Sequence, residues 1–299
     1  MYKINKSKLF WLALVVTLLW SLCVFAADDA KKKTKEMAVT FDELPASLAF
    51  GEVDRKALNN QILEALKTHK VKATGFVVGQ YVQDGFDLLG QWLNDGHKLG
   101  SMTNSDQDYH QIDAESFVAD IAAGNEVLEP MLSGFGQQNR YFRFPFLHYG
   151  TTQEAKDDAD IYLQEHNIIV AHATVLVDDY LFNLTLEKMG KKPDSADLQQ
   201  LESEYLENIQ SQIEDAEFKS QDMLKRNCRQ IIVLRANRLN AMFLDDILST
   251  IEELGYKFIT LDRALKDPLY VKAEAYFGSR GVGYLDMILQ SDPDLLPAE

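Results

Sequence analysis

Six charged side chains in this sequence stand at or just beyond the ends of short apolar runs. Asp42 and Glu43 follow the run 37–41, Asp106 follows 97–103, Asp179 follows 167–177, Arg143 lies within 140–144, and Arg235 closes 230–235. Carboxylates gathered at close range cannot all stay ionised without a cation beside them. A bound metal is one source of that charge. Glu43 and Asp106 offer hard oxygen ligands, which suit calcium or magnesium better than zinc. Asp108 and His110, close to Asp106 in sequence, would join such a site if their loop shifted. Arginine is the other source. Guanidinium keeps its proton at any physiological pH, so Arg235 can pair with carboxylates but cannot act as a general acid. With Arg143 it would salt-bridge the cluster and leave a rigid, metal-free pocket. A simpler use for Asp42 or Glu43 is to cap the turn before Pro45.

The elements that must position these groups follow from the apolar patterning. Seven strand candidates are read: 37–41, 72–79, 97–103, 140–144, 167–177, 230–235 and 257–261. Helical faces lie between them, with Leu58, Ile62 and Leu66 on one and Leu244, Ile247, Leu248, Ile251 and Leu254 on another. Strands alternating with helices of this length indicate parallel β/α units, and an open doubly wound sheet and a barrel fit the pattern equally well. Parallel barrels carry their functional groups at the carboxyl ends of strands, which is where the six charged residues fall. A longer polar helix is expected over 194–226, with Leu198, Leu201, Tyr205, Ile209, Ile213 and Ala216 along one side. It either lies on the sheet or binds a partner.

The N-terminus sets Lys3, Lys6 and Lys8 ahead of an apolar run from Leu9 to Phe25, then Ala26 and Ala27. This reads as a signal peptide of residues 1–26, with an uncleaved membrane anchor as the alternative. Residues 27–36 read as a charged tether and 37–299 as one domain, with a tail from about residue 268. Cleavage would remove Cys23 and leave Cys228 alone, so no internal disulfide is available and the core must hold the fold. It would also move the formal charge from −16 to −19. That balance disfavours nucleic acid and anionic membrane surfaces as partners, favours neutral or cationic ligands, and also serves solubility.

Three blocks, AVTFDELP (38–45), YFRFPFLHYG (141–150) and VLRANRLNA (233–241), together with LGSMTNSDQDYHQ (99–111), resemble the signature motifs of the polysaccharide deacetylase family, the NodB-homology or carbohydrate esterase family 4 proteins. The resemblance runs from residue 37 to about 280. It implies a distorted (β/α)7 barrel of the glycoside hydrolase/deacetylase type, a zinc-type divalent metal, and hydrolysis of non-peptide C–N bonds in N-acetylated amino-sugar glycans of cell-wall or chitin type. By the same resemblance Asp42 is the general base and Arg143 the residue that orients it. Phe146 lines the acetyl pocket, its backbone amide helping to hold the oxyanion. Asp179 and Tyr180 fall where the family's Asp-Trp or Asp-Tyr pair lines the cleft, and Tyr149, Tyr180 and Phe182 are aromatics able to stack on sugar rings.

The departures fall on the chemistry. Glu43 and Asp106 occupy metal-ligand positions, Met102 a position where a ligand histidine is lost, and Arg235 the place of the family's acid histidine. Tyr149 stands where a subgroup carries Glu. The signal peptide implies an exported protein, periplasmic or extracellular, with no stable membrane insertion once the signal is removed. With these departures the resemblance implies that it binds an N-acetylated amino-sugar glycan without turnover and needs no cofactor. The alternative is an active N-deacetylase with an atypical metal site at Glu43 and Asp106. A weaker third reading is partner binding through the helix at 194–226.

Overall fold

The computed structural model describes residues 35–47 and 54–291. The expected signal peptide and most of the tether lie outside the described residues. Among the described residues no helix is long and apolar enough to cross a membrane.

Strands and helices alternate. β1 (Lys35–Leu44) is followed by α1 (Arg55–Thr68), β2 (Thr74–Val77), α2 (Phe86–Asn94), β3 (Lys98–Ser101), α3 (Ala114–Gly134), β4 (Tyr141–Phe142) and α4 (Gln153–Glu165). The chain continues through β5 (Ile169–Val170), β6 (Val175–Leu176), α5 (Asp179–Lys188), α6 (Ser195–Leu224), β7 (Gln230–Arg235), α7 (Arg238–Glu253) and β8 (Tyr256–Ile259). Two short helices, α8 (Leu261–Ala264) and α9 (Tyr284–Leu289), complete it.

All strand pairs are parallel, in the order β5-β4-β3-β2-β1-β7-β6, with β8 beside the first half of β1. This order decides between the two architectures the sequence left open. In a flat sheet the terminal strands β5 and β6 would lie about 29 Å apart at ~4.8 Å per step. They are consecutive in the chain, and the link from Val170 to Val175 reaches at most about 17 Å. The sheet must therefore curl until its ends adjoin. The expected single strand at 167–177 breaks for this reason: Ala171 N donates to Phe142 O of β4, and Thr174 N donates to Ile231 O of β7. Four residues hand the chain across the seam, and the fold is the expected distorted (β/α)7 barrel.

Two boundaries differ from expectation. Lys35 and Glu36, placed in the tether, belong to β1: Lys35 is in register with Tyr256 and its Nζ reaches Glu217 at 2.7 Å, while Glu36 accepts from Arg229 at 3.0 Å and Arg263 at 2.5 Å. The expected tail is part of the domain, because Tyr284, Leu285 and Met287 of α9 are buried and Tyr284 N donates to Ala173 O at 2.6 Å.

The helices form where the patterning indicates. In α7, Leu244, Ile247, Leu248 and Ile251 are buried, and Asn237 caps the first turn by accepting from Asn240 N at 2.9 Å. Helix α6 begins at the cap Asp194 and ends at Lys225, whose left-handed φ of 53° terminates it. Its buried stripe of Leu201, Tyr205, Ile209, Ile213 and Ala216 packs on α5, α7 and α9, so its apolar side is already covered by the barrel. Tyr205 also reaches inward, donating to Asn240 Oδ1 at 2.6 Å. Through Asn240 that bond connects the outer helix to Asp179 and Arg235 at the strand ends.

Candidate functional site: a caged arginine at the strand ends

Asp42 and Arg235 are register partners on the adjacent strands β1 and β7, so their side chains leave the sheet side by side. One residue further, Glu43 adopts φ 64° and turns its carboxylate toward Arg235, whose Nε donates to Glu43 Oε1 at 3.0 Å. On the other side of the guanidinium, Nη1 donates to Asp179 Oδ1 at 2.5 Å, while the Arg235 backbone N–H donates to Asp179 Oδ2 at 2.7 Å. Asp179 is fully buried at the start of α5 and also accepts from Asn240 Nδ2 at 2.7 Å. The chain Tyr205, Asn240, Asp179, Arg235, Glu43 is thus continuously hydrogen-bonded from α6 to the end of β1. Burial opposes the charge on Arg235, but Asp179, Glu43 and Asp42 raise its pKa above the usual arginine value. The guanidinium is permanently charged and cannot relay a proton.

The remaining carboxyls are less well paired. Asp42 is buried, and its Oδ1 lies 3.8 Å from Arg143 Nε, an ion pair without a hydrogen bond. Arg143 is itself fully buried: Nη2 donates to Thr40 Oγ1 at 3.1 Å and the guanidinium lies 4.7 Å from the centre of the Phe76 ring. The expected orienting pair is therefore present but loose. Burial pushes the Asp42 carboxyl up to about 6 against the pull of Arg143 and Arg235. Burial also pushes Asp106 up to about 8, with Glu43 and Asp42 adding repulsion, and Asp106 Oδ1 has no hydrogen-bond partner.

These donors do not fit zinc at the position where the resemblance implies it. Glu43 is engaged by a guanidinium, Met102 offers a buried thioether, and Asp106 has a carboxyl whose neutral form is favoured. A protein cation already compensates the carboxylates that a metal would. Asp108 and His110 do not shift into this pocket; they gather with His148, on the loop after β4.

A small cavity of about 180 Å³ is walled by Asp42, Glu43, Met102, Asp106, Phe146 and Arg235. It opens into a cleft of about 730 Å³ that shares Glu43, Asp106, Phe146 and Arg235 and adds Tyr81 and Tyr180. Five of the eight described non-glycine residues with positive φ surround this region: Glu43, Thr103, Asp106, Phe146 and Leu147. Such conformations cost about 1–2 kcal/mol each and persist where the surroundings enforce them. At Phe146 the result is a ring 49% exposed over the cleft. Gly281, from the segment before α9, also lines the small cavity and lies so close that a Cβ there would overlap the Phe146 carbonyl oxygen.

The structure brings Asp42, Glu43, Met102, Asp106, Phe146 and Arg235 together and keeps Tyr180 on the cleft wall. It moves others. Tyr149 is only 5% exposed and packs against Phe144, His172 and Lys156, so it cannot stack on a ligand in the cleft. Phe182, only partly buried, packs on Tyr205 against the core. Asp179 lies behind Arg235 rather than on the cleft surface. Three participants were missed. Tyr81 stands two residues beyond Gly79, where the run 72–79 ends, near a strand end like the others; Asn240 lies inside the quoted block 233–241; His148 carries no local signal.

Comparison with known proteins agrees with the barrel fold. The polysaccharide deacetylase family model matches residues 29–162. A chitooligosaccharide deacetylase of Rhizobium leguminosarum bv. trifolii is 31% identical over 101 residues, covering 34% of this chain and 43% of that protein. A peptidoglycan-N-acetylglucosamine deacetylase of Bacillus cereus is 29% identical over 111 residues, 37% of this chain and 36% of that one. Each match spans less than half the length of the curated relative. Among solved structures, the CE4 family pseudoenzyme BA3943 of Bacillus anthracis superposes with a TM-score of 0.53 at 16% identity, over 78% of this chain and 66% of that one. The peptidoglycan deacetylase PdaC of Bacillus subtilis gives 0.51 at 20% identity, over 78% and 93%. At these identities the structural likeness establishes the shared barrel.

Proposed function

The chain belongs to the polysaccharide deacetylase family, and from that premise we propose that it is an exported glycan-binding protein of the periplasm or extracellular space that holds N-acetylated amino sugars without hydrolysing them. One observation carries this reading: the Arg235 guanidinium sits between Glu43 and Asp179 at 3.0 and 2.5 Å, where the family motif needs a metal ligand and an acid histidine. Arginine supplies the positive charge of the metal but neither its Lewis acidity nor a transferable proton. Loss of a general acid costs about 10²- to 10⁴-fold, and loss of metal polarisation several kcal/mol more, at ~1.4 kcal/mol per factor of ten. Together these leave no useful rate.

The substrate class is supported by the relatives, which act on chitooligosaccharide or peptidoglycan N-acetylglucosamine according to their names. The cleft is consistent with such a ligand. Tyr81 and Tyr180 offer aromatic faces in the ~730 Å³ portion, and Phe146 overhangs the ~180 Å³ portion, large enough for an acetamido group. Asp42 and Arg235 remain as polar groups for orientation, with Arg143 buried beside Asp42 as a positioning residue, and Phe146, Tyr180 and Tyr81 as contact surface. Asp179 acts through Arg235 as a positioning residue.

The alternative, an N-deacetylase using Glu43 and Asp106 as atypical metal ligands, draws on Asp42, whose raised pKa of about 6 suits a general base. It requires Arg235 to give up Glu43. Calorimetric titration of the purified protein with chitin and peptidoglycan oligosaccharides, with acetate assayed in the same mixture, separates the readings. Binding without acetate supports the proposal. Acetate release that needs added metal and disappears in Glu43→Ala overturns it, and absence of binding to any N-acetylated glycan removes the ligand assignment.

A further inference from the structure

Among the described residues, one group of side chains outside the arginine cage has the composition of a metal site. Asp108 and His110 lie on the loop between β3 and α3, and His148 on the loop between β4 and α4. Asp108 Oδ1 is 2.6 Å from His148 Nδ1 and accepts the His110 backbone N–H at 2.8 Å. The two imidazoles stack with centroids 3.9 Å apart and planes 5° from parallel. One donor atom from each of the three residues lies within 4.8 Å of the others, and all three residues are only partly buried.

We infer that Asp108, His110 and His148 form a site for a divalent transition metal of the zinc class, distinct from the Arg235 cage. The donor set is two imidazoles and one carboxylate, a combination that suits zinc, whereas the cage offers a guanidinium-bound carboxylate and a thioether. Ligand atoms around a tetrahedral ion stand about 3.3 Å apart, so uptake needs the widest pair to close by at most about 1.5 Å and the Asp108–His148 pair, now 2.6 Å, to part slightly. It also needs His110 to leave the stack, because in-plane lone pairs of parallel rings cannot meet at one ion. The Asp108–His148 pair is already adjacent, while His110, only partly buried, must give up the contacts its ring makes with the backbone of Gly150 and Ser279 to reach the ion. Chain charge favours the step, since the site adds a cation to a protein of formal net charge −16.

The consequence is local. Phe146 lines the Arg235 cavity and also packs on His148 with ring centroids 6.0 Å apart. An ion at this position ties the loop after β3 to the loop that carries Phe146, and so fixes one rim of the cleft without entering it. This inference does not depend on which reading of the cage holds.

The test uses the purified, chelator-treated full chain, titrated with zinc by calorimetry and with cobalt by visible absorption. One ion per chain is expected, with a cobalt spectrum of low coordination number. Affinity should fall by at least about tenfold in His110→Ala and in His148→Gln. The second variant keeps a hydrogen-bonding partner for Asp108, so loss of binding there is not loss of folding; thermal midpoints measured in chelator confirm this for both. Glu43→Ala should bind as tightly as the parent. No binding at millimolar metal overturns the inference. So does binding that both histidine variants keep, and binding that Glu43→Ala abolishes while His148→Gln retains it; the last result would also overturn the metal-free cage.

Discussion

The guanidinium of Arg235 holds the carboxylate of Glu43 at 3.0 Å, so two residues that each depart from the family motif satisfy one another. Asp179 completes the arrangement from behind at 2.5 Å. Two substitutions that look like independent losses in the sequence are coupled in the fold, and this coupling has measurable consequences.

Replacing Arg235 by Met keeps much of the side-chain volume and removes the charge. Asp179, with no exposed surface, would keep Asn240 and the backbone N–H of residue 235 but lose its counterion. Breaking a buried pair from one side costs 3–5 kcal/mol. Arg235 is itself 29% exposed, so the low end, about 3 kcal/mol, is expected in urea unfolding. Glu43→Gln, which keeps a hydrogen-bond acceptor at the more exposed side, should cost about 1 kcal/mol or less.

The contribution of Asp42 and Asp106 to stability should fall as pH rises from about 4 to about 8. Burial of His97 and His172, with pKa values lowered to about 4 and about 3, adds stability as pH rises toward about 6.5, so the net fall is expected chiefly above that point. Asp42 and Asp106 have folded pKa values of about 6 and about 8, above the ordinary carboxyl value of 3.8. In that window these two groups bind more protons in the folded state than in the unfolded state, so their contribution is fully present below about pH 4 and is lost as pH passes through each folded pKa. Unfolding midpoints in urea at pH 5, 6, 7 and 8 give the slope. Asp106→Asn should flatten it chiefly between pH 6 and 8, whereas an unchanged slope would mean that Asp106 is ionised in the native protein.

The aromatic assignments separate cleanly. Tyr180→Ala and Tyr81→Ala should each weaken glycan binding by about 1 kcal/mol, roughly fivefold, if their faces stack on a sugar. Tyr149→Phe should leave glycan affinity unchanged. It removes only the contact between the Tyr149 hydroxyl and His172 Nδ1 at 3.3 Å, costing about 1 kcal/mol of stability at most.

Gly281→Ala probes the rim from the other side. The added methyl would collide with the Phe146 carbonyl oxygen, and because backbone meets backbone, one segment must move. Overpacking of this kind costs about 1–3 kcal/mol. Glycan affinity should drop while the circular dichroism spectrum of the barrel is retained. Unchanged affinity would exclude Phe146 from ligand contact.

The sequence was most readable where local pattern determines structure. The run 230–235 is β7 residue for residue, and the helix expected at 194–226 is α6 with Asp194 as its cap. The charged residues stand at strand ends because a parallel barrel places them there. What escaped depends on contacts distant in the chain. Tyr149 looked available because it follows a strand end, but Lys156 from α4 and Phe144 from β4's flank bury it, with His172 and Tyr284 stacked beyond. The break within 167–177 reflects the closing seam of the barrel, which no local property announces. His148 meets Asp108 across 40 residues. The segment from about residue 268 reads as a tail in the sequence, yet its six-residue helix α9 buries Tyr284, Leu285 and Met287 in the core.

The most direct test of the caged arginine is a crystal structure of the chain grown with zinc, with anomalous scattering recorded at the zinc edge. The account predicts guanidinium density between Glu43 and Asp179 and no anomalous peak between Glu43 and Asp106. A peak bridging Glu43 and Asp106, with Arg235 turned away from both Glu43 and Asp179, would contradict it and restore the hydrolase reading.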